Sequence, residues 1–121
     1  VYSLSQRWGI GMSLFSRIIR RELPANIAYE DEFVIAIHDI APKAPVHLLI
    51  IPKKPYTSLQ DIPENELSIV AHIAKVAQEL ALEYEVASGY RFLTNNGSDA
   101  GQTVFHLHFH LIGGQVLQHL C

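Results

Sequence analysis

The chain has 121 residues, 49% of them hydrophobic and 17% charged, with a formal net charge of −3. That suffices for one domain with a real core and is too little for two; the lack of a basic balance or a run of like charge argues against a nucleic-acid surface, and no apolar stretch approaches the roughly 20 residues a bilayer requires. The single cysteine, Cys121, excludes an internal disulfide and a cysteine-based metal centre and fits a reducing, cytoplasmic setting.

Residues 1–11 lack a charged-then-apolar leader pattern and read as a tag remnant or upstream extension, with Met12 as initiator and one domain over 12–121. Leu14, Phe15, Ile18 and Ile19 mark one face of a short helix, Ser13 to about Arg21, with Ser13 as N-cap and Pro24 just past the end. Ile27–Glu30 and Phe33–His38 read as a hairpin turning at Asp31-Glu32. Residues 39–45 are a loop. Val46–Ile51 is apolar and β-branched, stops at Pro52, and reads as a central strand buried on both faces. A loop over 53–61 leads to a long helix whose first turn suits Pro63 and Glu64. Its apolar face (Val70, Ile73, Ala74, Ala77, Leu80, Ala81, Tyr84) is widened by Leu67, Ile69 and Val76. That arc exceeds what packing on one sheet needs, so a second subunit is expected to cover the excess. Tyr90–Thr94 is the fourth strand, 95–102 a glycine-rich loop, and Val104–Ile112 the last strand. The order αβββαββ predicts an α+β domain on a mainly antiparallel sheet.

The last strand holds the chemistry. Side chains alternate along a strand, so His106, His108 and His110 share one face while Phe105, Leu107, Phe109 and Leu111 line the other. A metal site is one reading. His106 and His110 would lie about 13 Å apart, too far to share an ion without strain, though two neighbours joined by His47 could do so. A buried hydrogen-bond network is a second reading. Covalent catalysis is the third and the best supported, since neutral imidazole is a nucleophile toward phosphorus. It needs a partner on its other nitrogen, donors for phosphoryl oxygens and a proton source. The loop Asn95–Thr103, with Gly97 and Gly101, can turn backbone N–H groups toward an anion, and Thr103 offers a hydroxyl. His38 and His47 flank a second polar cluster. Its Asp39 directly follows a strand and either accepts from two ribose hydroxyls or caps the turn. His72 reads as structural or exposed, and His119 as a tail residue without a role.

His106-Leu-His-Phe-His-Leu-Ile112 resembles the alternating signature of the histidine triad superfamily. The likeness extends to Phe15–Pro24, to His38–Lys53 and to Asn95–His106, covering about residues 13–114. The Gly113-Gly114 ending resembles the Hint, nucleoside phosphoramidase branch more than the fragile-histidine-triad branch that hydrolyses dinucleoside polyphosphates. The resemblance implies a five-stranded sheet with one long and one short helix, joined to a partner's sheet in a homodimer through the long helix and the Tyr90 strand. It implies His108 as nucleophile, His110 as a phosphate contact, His106 as a support through the strand's backbone and His47 as a neighbour of the nucleophile. Asn95 would contact ribose and phosphate, Asp39 the ribose hydroxyls, and Gly101, Gln102, Thr103 and Val104 the phosphate and leaving group. Leu14, Phe15, Ile18, Leu23, Ile37, Ile40 and Leu49 would surround a purine base.

Two positions depart from eukaryotic Hint proteins. Thr103 stands where serine is usual, keeping a hydroxyl but adding a methyl. The tail Gln115–Cys121 lacks their tryptophan-containing ending. The activity so implied is metal-free hydrolysis of a purine nucleoside 5′-phosphoramidate through a histidine–nucleotidyl intermediate, with no cofactor. The alternatives are a dinucleoside polyphosphate hydrolase, a nucleotide-binding or interaction module with incidental hydrolysis, and a zinc-binding protein.

Overall fold

A computed structural model describes residues 13–119; residues 1–11, read above as a tag remnant or upstream extension, Met12, Leu120 and Cys121 lie outside the described residues. Helix α1 (Leu14–Ile19) begins where expected, with the Ser13 hydroxyl accepting the N–H of Ser16 at 3.1 Å. It stops earlier than expected, and Arg21 just beyond it adopts a left-handed φ of 63°. Strands β1 (Ile27–Glu30) and β2 (Val34–His38) form the predicted hairpin. Asp31 makes the turn: its Oδ1 accepts the N–H groups of Phe33 and Val34 at 2.7 and 2.8 Å.

Strands β3 (Val46–Pro52), β4 (Tyr90–Leu93) and β5 (Phe109–Gly113) complete a five-stranded sheet of order β1-β2-β3-β5-β4, antiparallel throughout. The apolar β3 is central in that order and buried along nearly its whole length. Helix α2 (Ser68–Glu83) begins later than the sequence suggests, because Glu64–Glu66 form a 3₁₀ turn first. No helix among the described residues is long and apolar enough to cross a membrane.

Strand alternation divides the core in two. Val34, Ala36, Leu48 and Ile50 pack under α2, with Ile73, Val76, Ala77 and Leu80. Ile35, Ile37, Leu49 and Ile51 point the other way and hold Phe15 and Ile18 of α1. A one-residue slip of β2 or β3 would exchange the two sets, so the register is strongly specified.

The histidine segment is less regular than expected. The ladder to β3 begins only at Phe109, opposite Ile50, and His106 and His108 precede the strand. Pro52 ends β3 and has no N–H to extend the ladder. The N–H of Leu107 goes instead to the carbonyl of Tyr56 at 2.6 Å. Alternation nevertheless survives: Leu107, Phe109 and Leu111 join the α2 core. Phe105 departs from the expected pattern and is 41% exposed, since no strand partner holds it over that core.

Candidate active site

The histidines converge on the α1 side of the sheet. His108 is flanked by the Phe15 ring, edge-on at 4.9 Å between centroids, and by His110 at 5.2 Å. His47, of the same parity as Leu49 and Ile51, lies beside His110 on that face. His38 does not join them. Its parity is that of Val34 and Ala36, and its Nε2 meets the hydroxyl of Tyr84 at the end of α2, at 3.2 Å.

Fixed donors and acceptors assign the protons. A carbonyl only accepts, so each imidazole nitrogen facing one carries hydrogen. His108 Nδ1 lies 2.8 Å from the carbonyl oxygen of His106, so Nδ1–H donates and Nε2 keeps its lone pair. The ring of His106 has Nε2 at 2.8 Å from the Pro52 carbonyl, which leaves Nδ1 to accept from the hydroxyl of Ser13 at 2.8 Å, with Ser16 at 3.2 Å. The N–H of Lys43 donates to His47 Nδ1 at 3.0 Å. Neutral His47 therefore bears its hydrogen on Nε2, which donates to His110 Nδ1 at 2.9 Å. His110 in turn keeps N–H at Nε2. One imidazole thus offers a lone pair and its neighbour offers a hydrogen.

All four rings are held neutral. Burial pushes His106 and His110 down to about 4, with the neighbouring His108 acting in the same direction on both. Burial also lowers His108 and His47, against the opposing pull of Asp39.

Asp39 caps its turn and reaches the histidines. Oδ1 accepts the N–H of Ala41 at 2.8 Å and so caps the turn, while Oδ2 lies 3.4 Å from His47 Nε2. Asp39, His47 and His110 form a compact group of metal-ligand atoms, yet they suit a cation poorly. A neutral histidine that binds metal through Nε2 carries hydrogen on Nδ1, and here Nδ1 faces the Lys43 N–H.

The glycine-rich loop is built from within by Gln102. Its side chain is 3% exposed, accepts the N–H of Gly97 and donates to the carbonyls of Thr57 and Val104. The amide is thus engaged by the protein and holds the loop. Gly97 and Gly101 adopt φ of 89° and 98°, which that turn requires. Thr103 is exposed, while Asn95 and Val104 are half-buried.

Among the expected base-binding residues, Phe15, Ile18, Ile37 and Leu49 are themselves core, and Leu14 and Leu23 are half-buried. Ile40, beside Asp39, is 86% exposed. Between the end of α1 and β1 lies a cleft of about 370 Å³ that includes Ile18, Leu23 and Ile27.

Three hydroxyl residues at the site were not legible as such. Ser13 was identified only as a cap and Ser16 not at all, although both reach His106. Thr94 donates to the carbonyl of His108 at 2.7 Å. Hydroxyls give no periodic signal, so nothing in the linear pattern marks these partners.

Comparison with known proteins supplies the context. The HIT domain family model matches residues 20–117. A HIT-like protein of Chlamydia pneumoniae is 51% identical over 106 residues, spanning 88% of this chain and 96% of that one. Among solved structures, a HIT family hydrolase from Clostridium thermocellum superposes with a TM-score of 0.84 at 52% identity, covering 87% of this chain and 92% of that one. A histidine triad nucleotide-binding protein from Candida albicans matches with a TM-score of 0.73 at 36% identity, covering 81% and 71% of the two chains.

Proposed function

This chain belongs to the HIT domain family, and on that premise we propose that it hydrolyses the P–N bond of purine nucleoside 5′-phosphoramidates, in the manner of the Hint branch. The observation that carries the reading is the bond from His108 Nδ1 to the His106 carbonyl, which leaves Nε2 as a neutral nucleophile beside a second imidazole that carries its hydrogen on Nε2.

His108 Nε2 attacks the α-phosphorus, the P–N bond breaks, and the amine leaves with a proton delivered by His110 Nε2–H or through Thr103. Water then attacks the phosphorus and the bond to His108 breaks, giving the nucleoside monophosphate and returning His108 to neutrality, while the proton that water gives up replaces the one sent to the amine. His110 also donates to a phosphoryl oxygen as charge develops. Asp39 Oδ2 accepts from the ribose hydroxyls, Asn95 contacts ribose and phosphate, and the base lies against Leu14, Leu23 and Ile40 over the buried apolar floor. No cofactor enters this scheme, and the single cysteine fits a reducing, cytoplasmic compartment.

The same reading includes a homodimer. Among the described residues strand β4 pairs on one side only, with β5, so its other edge is open there. A groove of about 650 Å³ runs beside it, lined by Val86, Tyr90, Arg91 and Val116. Leu82 of α2 is 70% exposed, as an apolar face awaiting a partner would be.

The test is release of a fluorescent amine from its adenosine 5′-phosphoramidate with EDTA present. Turnover that disappears in His108→Ala supports covalent phosphoramidase chemistry. Turnover retained by that variant overturns it.

A further inference from the structure

We infer that the hydroxyls of Ser13 and Ser16 are positioning groups for the nucleophile, holding His106 in the single orientation and tautomer that lets its carbonyl orient His108. This rests on the hydrolase reading for its effect on rate, but the arrangement itself is independent of substrate.

The ring of His106 is fully buried, and both its nitrogens are occupied. Nε2–H donates to Pro52, and Nδ1 accepts from Ser13 at 2.8 Å and Ser16 at 3.2 Å. Rotating the ring by half a turn would put carbon against the Pro52 carbonyl and against both hydroxyls. Losing the hydroxyls would leave a buried acceptor unpaired and remove one of the two contacts that fix the ring. The carbonyl of the same residue receives Nδ1–H of His108, so movement at His106 passes directly to the nucleophile. A free His108 could also adopt the other tautomer, in which Nε2 carries hydrogen and cannot attack.

Capping does not exhaust the role of Ser13. A cap needs only a lone pair to accept the Ser16 N–H, which leaves the hydroxyl hydrogen for His106. The two roles are therefore separable. Helix α1 also carries Phe15, whose ring edge meets both His106 and His108. One short helix thus supports the nucleophile's carbonyl partner and forms part of the floor beneath the base.

The experiment compares Ser13→Ala/Ser16→Ala, Ser13→Thr and Ser13→Asp/Ser16→Ala with the parent. It uses kinetics on the fluorescent adenosine phosphoramidate and heteronuclear NMR of the imidazole nitrogens. The double alanine variant should lose about 10- to 100-fold in kcat with KM changed less than roughly threefold. The resonances of His106 Nδ1 and His108 Nδ1–H should move with it. Ser13→Thr keeps donor and cap and should preserve most of the turnover and the parent resonances. Ser13→Asp/Ser16→Ala keeps a cap but has no hydroxyl to donate. It should lose kcat likewise, with a rate profile shifted in pH because a carboxylate at Nδ1 favours the charged ring. It decides the matter should the alanine variant fail to fold. A kcat within about twofold of the parent in a folded variant lacking both hydroxyls overturns the inference, as do unmoved imidazole resonances. Were the parent inactive on phosphoramidates, the hydrolase reading would fall while the resonances still tested the clamp.

Discussion

His47 donates from Nε2 to Nδ1 of His110 across 2.9 Å, and the N–H of Lys43 behind it allows neutral His47 no other tautomer. The backbone thus sets which nitrogen of His110 carries hydrogen. Replacing His47 with leucine should leave His110 free to place its hydrogen on either nitrogen. We expect a fall of about tenfold or more in kcat, while glutamine, which can donate from its amide, should lose less. Equal rates for the leucine, glutamine and parent proteins would argue against the relay.

Acid should act on rate and stability together. Attack needs neutral His108, which burial holds below its ordinary 6.5, so turnover should stay high through neutral pH and decline on acidification. For stability, His106 and His110 have folded values of about 4 against 6.5. Between those limits the unfolded chain binds more protons, so stability is full above 6.5 and is lost as pH falls toward 4. The contribution of fully buried His106 alone is on the order of 3 kcal/mol. Urea melts across that range check the sign; a midpoint that rises on acidification would contradict it.

Asp39→Asn keeps an oxygen for the Ala41 N–H but gives up the charge and a ribose acceptor. Affinity for AMP should weaken by about tenfold, near 1.4 kcal/mol, with thermal stability little changed. Calorimetric titration measures the first and scanning calorimetry the second. Undiminished AMP binding would leave Asp39 as a turn cap only.

Divalent metal should be dispensable. The Lys43 N–H opposes the His47 tautomer a ligand would need. Protein stripped with EDTA should keep its turnover, and zinc titration should show no tight site at Asp39, His47 and His110. A tight stoichiometric zinc site that disappears in His47→Leu would reverse this.

Away from the site, Asp31 ties the hairpin to α2, accepting from Tyr29 at 2.8 Å and meeting His72 Nε2 at 2.7 Å. Burial alone would raise its carboxyl, but the Val34 and Phe33 N–H groups, Tyr29 and His72 outweigh it and bring the value to about 2. Asp31→Asn should cost about 2 kcal/mol in denaturant melts, with kcat unchanged. A loss of kcat in the fully folded variant would mean that this cluster communicates with the histidines.

The linear pattern was enough for elements and faces. The apolar run Val46–Ile51 could only be a buried central strand, and the Asp31 turn required a hairpin, because backbone geometry imposes its period locally. The grouping of His106, His108 and His110 on one face followed in the same way, and held even before Phe109, where regular pairing begins. The proton on each nitrogen depended on tertiary structure. Ser13 and His106 are separated by 93 positions and Pro52 and His106 by 54. An imidazole's tautomer depends on which donor or acceptor the fold brings within 3 Å or so of each nitrogen. Short-range periodicity carries no information about such partners, so it leaves Ser13 legible as a cap alone and marks neither Ser16 nor Thr94.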